Sequence, residues 1–140
     1  MKKLPVLIII LCIFILSNAQ QANDFIIEGH GLIGKKEYKT AVEKFEKAIK
    51  IDRSSKEAYL GKGIALYLDR TNNIRHNDPE VFIEKALKLD PLYYNAMVHL
   101  GWCYFYKNKI EDAIEQFRKA LEIEENLATR KKLEKLINDG

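Results

Sequence analysis

Cysteine is nearly missing from this chain: there are two among 140 residues. Cys12 lies in an apolar N-terminal run, which leaves Cys103 alone in the remainder. A single cysteine cannot close an internal disulfide, so the folded part has to be held by packing. An excess of one charge is missing too. The formal net charge is +3, and Lys2 and Lys3 supply two of those positives. Residues 20–140 hold 21 basic side chains (23 less those two) and 20 acidic ones, a net of +1. Mixed signs so near balance give no electrostatic footprint for nucleic acid. Catalytic signatures are missing as well. The chain has no glycine-rich phosphate loop, no His-Glu metal motif and no nucleophile elbow. His30, His76 and His99 share no helical turn, so a preformed zinc site is not spaced out. These gaps predict a protein that is not an enzyme and takes neither cofactor nor metal.

The chain also lacks an apolar run long enough to span a bilayer on its own. The run from Leu4 to Leu16 is 13 residues, whereas a spanning helix needs about 20. Two lysines precede it, and Ser17, Asn18 and Ala19 follow it. A basic start, a short apolar stretch and small residues at the end form a secretory signal pattern. Residues 1–19 are therefore expected to be removed after Ala19. The product would be periplasmic or secreted, and the short "MKK" start points to a bacterial envelope. Left uncleaved, residues 4–19 would instead be an inner-membrane anchor, which is the one route to membrane contact. Cys12 sits inside the run and not at a small-residue site, which argues against a lipid-modified N-terminus.

What the chain does have is repetition. "FEKAIKID", "IEKALKLD" and "FRKALEIE" start at Phe45, Ile83 and Phe117, 38 and then 34 residues apart. Ala48, Ala86 and Ala120 keep the same intervals. A period near 34 with helical periodicity inside it indicates stacked helix pairs. The helix before each octapeptide has its own stripe: Phe25, Gly29 and Leu32; Tyr59, Gly63 and Leu66; Met97, Leu100, Gly101 and Tyr104. Spacings of three and four put each set on one face. A mid-helix glycine costs about 1 kcal/mol against alanine, so three in register predict a close approach of backbones. In the second helices Ala41, Phe45 and Ala48, and Ala113, Phe117 and Ala120, should face inward. "GKKE" and "KNKI" read as short turns.

On these residues the chain resembles the tetratricopeptide repeat family. The third unit keeps Leu100, Gly101, Tyr104, Ala113, Phe117 and Ala120, the second Tyr59, Gly63, Ala86 and Pro91, and the first Gly29, Ala41, Phe45 and Ala48. The resemblance implies an all-helical right-handed solenoid. Its three helix pairs would occupy residues 22–125 (about 22–55, 56–91 and 92–125), with a capping helix over 126–140. Leu133, Leu136 and Ile137 form the apolar stripe of that cap, and Lys131, Lys132, Glu134 and Lys135 its solvent face. The second unit departs from the pattern, with Pro79 in place of a small alanine and four extra residues in "DRTNNIRHNDPE". Asp78 can cap the next helix there, with Pro79 at its first position. Asp69, Thr71, Asn73, Asn77 and Glu80 in this loop fall at calcium-loop offsets. Ile74 occupies the place where such a loop needs glycine, and a plain inter-helix loop is the better reading.

A second apolar stripe runs along the first helices, about 100° round from the first. It comprises Ile26, His30 and Ile33, then Leu60, Ile64 and Tyr67, then Val98, Trp102 and Phe105. A surface helix needs only one apolar face. In the family the resemblance names, the first helices line a concave groove, so this stripe is the expected surface for a protein or peptide partner. Trp102 is the expected anchor, and His30 a polar lining residue. One branch of the family grips a C-terminal carboxylate with lysine and asparagine at these offsets. Ile26, His30, Leu60 and Ile64 stand there instead, so that clamp is absent. The alternatives are that the stripe is core, or that it meets another copy in a self-associating structural subunit. Cys103 reads as a buried packing residue, and Tyr106 as able to reach solvent.

Overall fold

A computed structural model of the chain describes residues 4–69 and 78–139. These residues form seven α-helices and no strand: α1 (Leu4–Gly34), α2 (Tyr38–Ile51), α3 (Lys56–Leu68), α4 (Pro79–Leu89), α5 (Tyr94–Tyr106), α6 (Ile110–Ile123) and α7 (Leu127–Asp139). Each packs on the next, and α1 and α5 also reach α3. That is a linear stack of three antiparallel pairs closed by a terminal helix. Of the calcium-loop positions, Thr71, Asn73, Ile74 and Asn77 lie outside the described residues, as does His76. Asp69 and Glu80 at its ends are buried, at 6% and 7% exposure. Glu80 pairs with Lys107 at 2.8 Å.

α1 has two parts in one helix. Residues 5–17 are exposed all round, and the first buried side chain is Ala22. From there on the helix packs against α2 and α3. By length and composition the helix Pro5–Gly34 is apolar enough to cross a membrane, which corrects the expectation of too short a run, since the helix continues past Leu16; a signal sequence shares that property.

The repeated octapeptides make the core. Ala41, Phe45 and Ala48 are fully buried, as are Ile83, Ala86, Ala113 and Ala120, with Phe117 at 1% exposure. The registered glycines serve these residues in a way that differs from the expected backbone contact. A Cβ built on Gly29 would lie 2.7 Å from Phe45 Cζ, one on Gly63 2.6 Å from Ile83 Cγ1, and one on Gly101 2.8 Å from Phe117 Cε1. The glycine is a seat for the large side chain of its own pair. At Gly63 backbone is among the nearest atoms as well, with the Pro79 carbonyl oxygen 3.0 Å from the built Cβ. Gly61, out of the repeat register, also seats the Phe45 ring, with Cδ1 2.7 Å from a built Cβ.

The turns obey the same local rules in the first and third pairs. Lys36 and Asn108 adopt left-handed backbone, with φ of 63° and 59°. In each, the next amide closes back on the helix: Glu37 N donates to Leu32 O, and Lys109 N to Tyr104 O, both at 2.9 Å. This is the Schellman closure of a helix C-terminus. In the second pair Asp78 occupies the N-cap position before Pro79, but its side chain makes no capping bond. It accepts from Lys107 Nζ at 3.2 Å instead.

Ammonium groups tie repeat to repeat. Lys62, 8% exposed, donates to Glu46 at 2.7 Å and lies 4.0 Å from the centre of the Phe82 ring. Lys56 donates to Asp90 at 2.6 Å and lies 4.8 Å from the Tyr93 ring centre. That bond raises the Lys56 pKa and lowers that of Asp90. The exposed parts of these pairs add little energy, whereas an aliphatic stem laid along a ring excludes water from the joint.

Candidate partner-binding surface

The nine stripe residues divide into two groups in space. In the first pair, Ile26 and Ile33 are half-buried against Ala41, Phe45 and Ala65. His30 is exposed, and its ring meets the Phe45 ring edge-on at 5.2 Å. Desolvation lowers the His30 pKa, so it stays a neutral, weakly polar edge.

The second group is built around α3 and α5. Leu60 is 5% exposed, in one cluster with Ile83, Ala86, Ala96, Leu100 and Cys103. It is core, which corrects its assignment to an open groove. α3 is the middle first helix, with packed neighbours on α2, α4 and α5, and the facing pair covers this position. Ile64 and Tyr67 are half-buried against the same cluster. Val98 is half-buried as well.

Beyond them the rings form a continuous patch. Tyr67 lies 5.5 Å from Tyr106, and Tyr106 lies 5.4 Å from Phe105 and 6.2 Å from Trp102. Trp102 meets Phe105 edge-on at 5.8 Å and the buried Phe117 at 5.6 Å. These are the offsets and tilts that aromatic pairs favour. The indole therefore leans on the core through Phe117 and remains half-exposed on its other side. Tyr106, 58% exposed, extends the patch into solvent.

The terminal helix completes the surface. Asn126 starts it by accepting from the amides of Ala128 at 2.9 Å and Thr129 at 3.3 Å. The buried Thr129 hydroxyl meets the Tyr94 hydroxyl at 2.7 Å, which pins α7 to α5. So anchored, α7 stands off from the aromatic patch and leaves a cleft of 540 Å³. Trp102, Phe105, Tyr106 and Ile110 line one side, Leu136, Lys132 and Lys135 the other, with Asn108 at the turn. Lys132 does not simply face solvent: its Nζ lies 4.4 Å from the centre of the Trp102 ring. The alternation of α7 marks a polar face in the sequence, but nothing there says which element that face looks onto.

Cys103 stands beside the patch and takes no part in it. It is 3% exposed, and burial pushes its thiol pKa up to about 12, with a smaller push from Glu80. A thiol held that high supplies no thiolate near neutral pH. Burial likewise lifts the Tyr104 hydroxyl pKa to about 12, and that hydroxyl donates a hydrogen bond to Glu84 at 3.2 Å.

Residues 94–127, which span α5 and α6, match the tetratricopeptide repeat model. The first tetratricopeptide domain of Spaghetti (RPAP3), solved with an HSP90 peptide, superposes with a TM-score of 0.77 at 20% identity, over 86% of this chain and 94% of that one. The Arabidopsis OM64 domain does so with a TM-score of 0.76 at 21% identity, over 88% and 99%. The fold is a tetratricopeptide repeat solenoid. In sequence, the small glutamine-rich tetratricopeptide repeat-containing protein 2 of Saccharomyces cerevisiae is 28% identical over 110 residues. The tomato (Solanum lycopersicum) relative, a probable peptide N-acetylglucosaminyltransferase named SPINDLY, is 31% identical over 98 residues. The chain spans 30% of the length of the yeast protein and 10% of the tomato one.

Proposed function

We infer that this chain is a non-catalytic protein-interaction module that binds a segment of a partner protein on the surface of its first helices. The observation that carries this reading is the aromatic patch of the half-buried Trp102 and Phe105 and the exposed Tyr106 beside an open cleft. Burying what these rings still expose would be a favourable apolar gain. A rigid stack also presents the patch with little ordering cost on its own side. The related solenoid of Spaghetti was solved with a peptide bound, which agrees with a peptide-binding role for this fold. The groove members in this reading are Ile26, His30, Ile33, Ile64, Tyr67, Val98, Trp102 and Phe105, with Leu60 reassigned to the core.

The setting we infer is a bacterial envelope, reached by export and cleavage after Ala19. Residues 5–17 bury nothing in the stack, so their removal would leave the repeats packed. Intact mass of the protein isolated from its cells tests this part: a chain that begins at Gln20 supports it, and one that begins at Met1 refutes it. The binding part is tested by unbiased selection of peptides on the processed protein, read by fluorescence. Trp102 is the single tryptophan of the chain, so its emission reports on the patch alone. Selected peptides that shift that emission support the reading, and peptides that bind without shifting it refute the assignment of the surface.

A further inference from the structure

We propose that the cleft between α5 and α7 takes an internal acidic segment of a partner protein, with an apolar side chain against Trp102 and flanking carboxylates on Lys132 and Lys135. The proposal rests on the peptide-binding reading above and names the chemistry of the peptide. Its two halves come from the two sides of the cleft. On the α5 side, the indole, Phe105 and Tyr106 offer apolar area with no charged group among them. On the α7 side, Lys132 and Lys135 stand three residues apart, on one face of one helix.

The charge of those lysines is unspent. Lys44, Lys56, Lys62, Lys107 and Lys119 each lie within 4.0 Å of a carboxylate. Among the described residues, Lys132 and Lys135 have no such partner. Lys132 is moreover held over the indole at 4.4 Å, so its ammonium is already placed at the mouth of the apolar site. A ligand carboxylate meeting it there sacrifices little side-chain freedom. A basic or neutral segment would meet two unneutralised positives at the rim, and like charges across an interface are unfavourable. The cleft volume of 540 Å³ suits one or two side chains with their backbone. The acids need not be a chain terminus, because the positions that would clamp a terminal carboxylate hold Ile26, His30, Leu60 and Ile64.

The test titrates the processed protein with the capped peptide acetyl-Glu-Glu-Leu-Phe-Glu-Glu-amide and with its counterpart carrying glutamine for glutamate. Trp102 emission is the readout. The acidic peptide is expected to bind about tenfold more tightly at low salt, the size of two modest ion pairs, with the advantage shrinking as salt is added. Replacing both lysines (Lys132→Gln with Lys135→Gln) should erase that advantage, so that the double variant binds the acidic and the glutamine peptide equally. Since both are exposed, the double variant should fold. Equal affinity for the two peptides overturns the acidic assignment while leaving the peptide-binding reading intact. An acidic preference that survives the double variant, or that needs a free C-terminal carboxylate, also overturns it. Binding of neither peptide overturns it as well, and failure of every selected peptide to move Trp102 sinks both readings together. A Trp102 shift that depends on protein concentration without peptide, with a dimer in light scattering, would assign the cleft to a second copy and overturn the proposal.

Discussion

Gly61→Ala should destabilise the stack even though alanine is the better helix former. The substitution is in the interior of α3, where exchanging glycine for alanine gains about 1 kcal/mol if nothing else changes. Here something does change. The new methyl would lie 2.7 Å from Phe45 Cδ1, with Cε1 and Cζ closer still. The ring has little room to retreat, because the side chain is fully buried and its tip also rests on Gly29, where a Cβ would meet Cζ at 2.7 Å. The ring tip is seated against two glycines at once, so the ring or a helix must shift to admit the methyl. Overpacking of a tight core costs roughly 1–3 kcal/mol, and a fully buried ring seated on two glycines belongs at the upper end. The net expectation is a loss of about 2 kcal/mol. Gly31→Ala is the matched control. It makes the same chemical change in α1, with nothing within 4 Å of the built Cβ, and no glycine has positive φ among the described residues. It should gain about 0.5–1 kcal/mol. Urea denaturation followed by far-ultraviolet circular dichroism, at unchanged m-value, measures both. Phe45→Leu in the Gly61→Ala background should recover part of the loss, as coupled neighbours do in a double-mutant cycle. A Gly61→Ala variant as stable as the parent, or a Gly31→Ala variant equally damaged, would refute the seat.

Four further outcomes are expected. Lys36→Gly should raise stability by about 0.5–1 kcal/mol in the same urea assay, since φ of 63° strains any residue with a Cβ. His99→Gln should flatten the pH dependence of stability in mildly acid solution. Burial lowers the His99 pKa below 6.5, so the unfolded chain takes the proton first. Stability therefore declines as pH falls through 6.5 and is unaffected well above it; urea midpoints on either side measure the effect. Thiol reagents should leave Cys103 unmodified in the native protein and label it in urea, because it is buried with its pKa near 12; rapid native labelling in the chain that lacks residues 1–19 would contradict that burial. Thr129→Val should cost about 1 kcal/mol, the worth of an ordinary buried hydrogen bond. It should also speed amide exchange in α7 before the other helices, since the Tyr94 contact at 2.7 Å holds that helix.

The stack was legible because its core is written in local intervals. Ala41, Phe45 and Ala48 lie on one helical face by spacing alone, and the next two copies repeat the statement. Gly61 was not legible, because what it seats is the ring of the preceding pair, and no intra-repeat spacing relates α3 to α2. Leu60 was misplaced for a related reason. Ile26, Leu60 and Val98 share one offset, yet only Leu60 belongs to a pair with a full pair on either side. An end copy lacks one of those covers, so identical sequence positions have different burial. The cleft is an end effect of the same kind. Trp102 occupies the offset that holds His30 and Ile64 in the other copies. A further repeat following α6 would pack a first helix over that position. α7 follows instead, pinned at Thr129 and aimed so that Lys132 crosses the indole at 4.4 Å. The indole keeps some accessible area because α7 crosses it with a lysine where a first helix would cover it. The candidate surface thus falls where the third pair meets α7, on an aromatic residue that the other two copies lack at that offset.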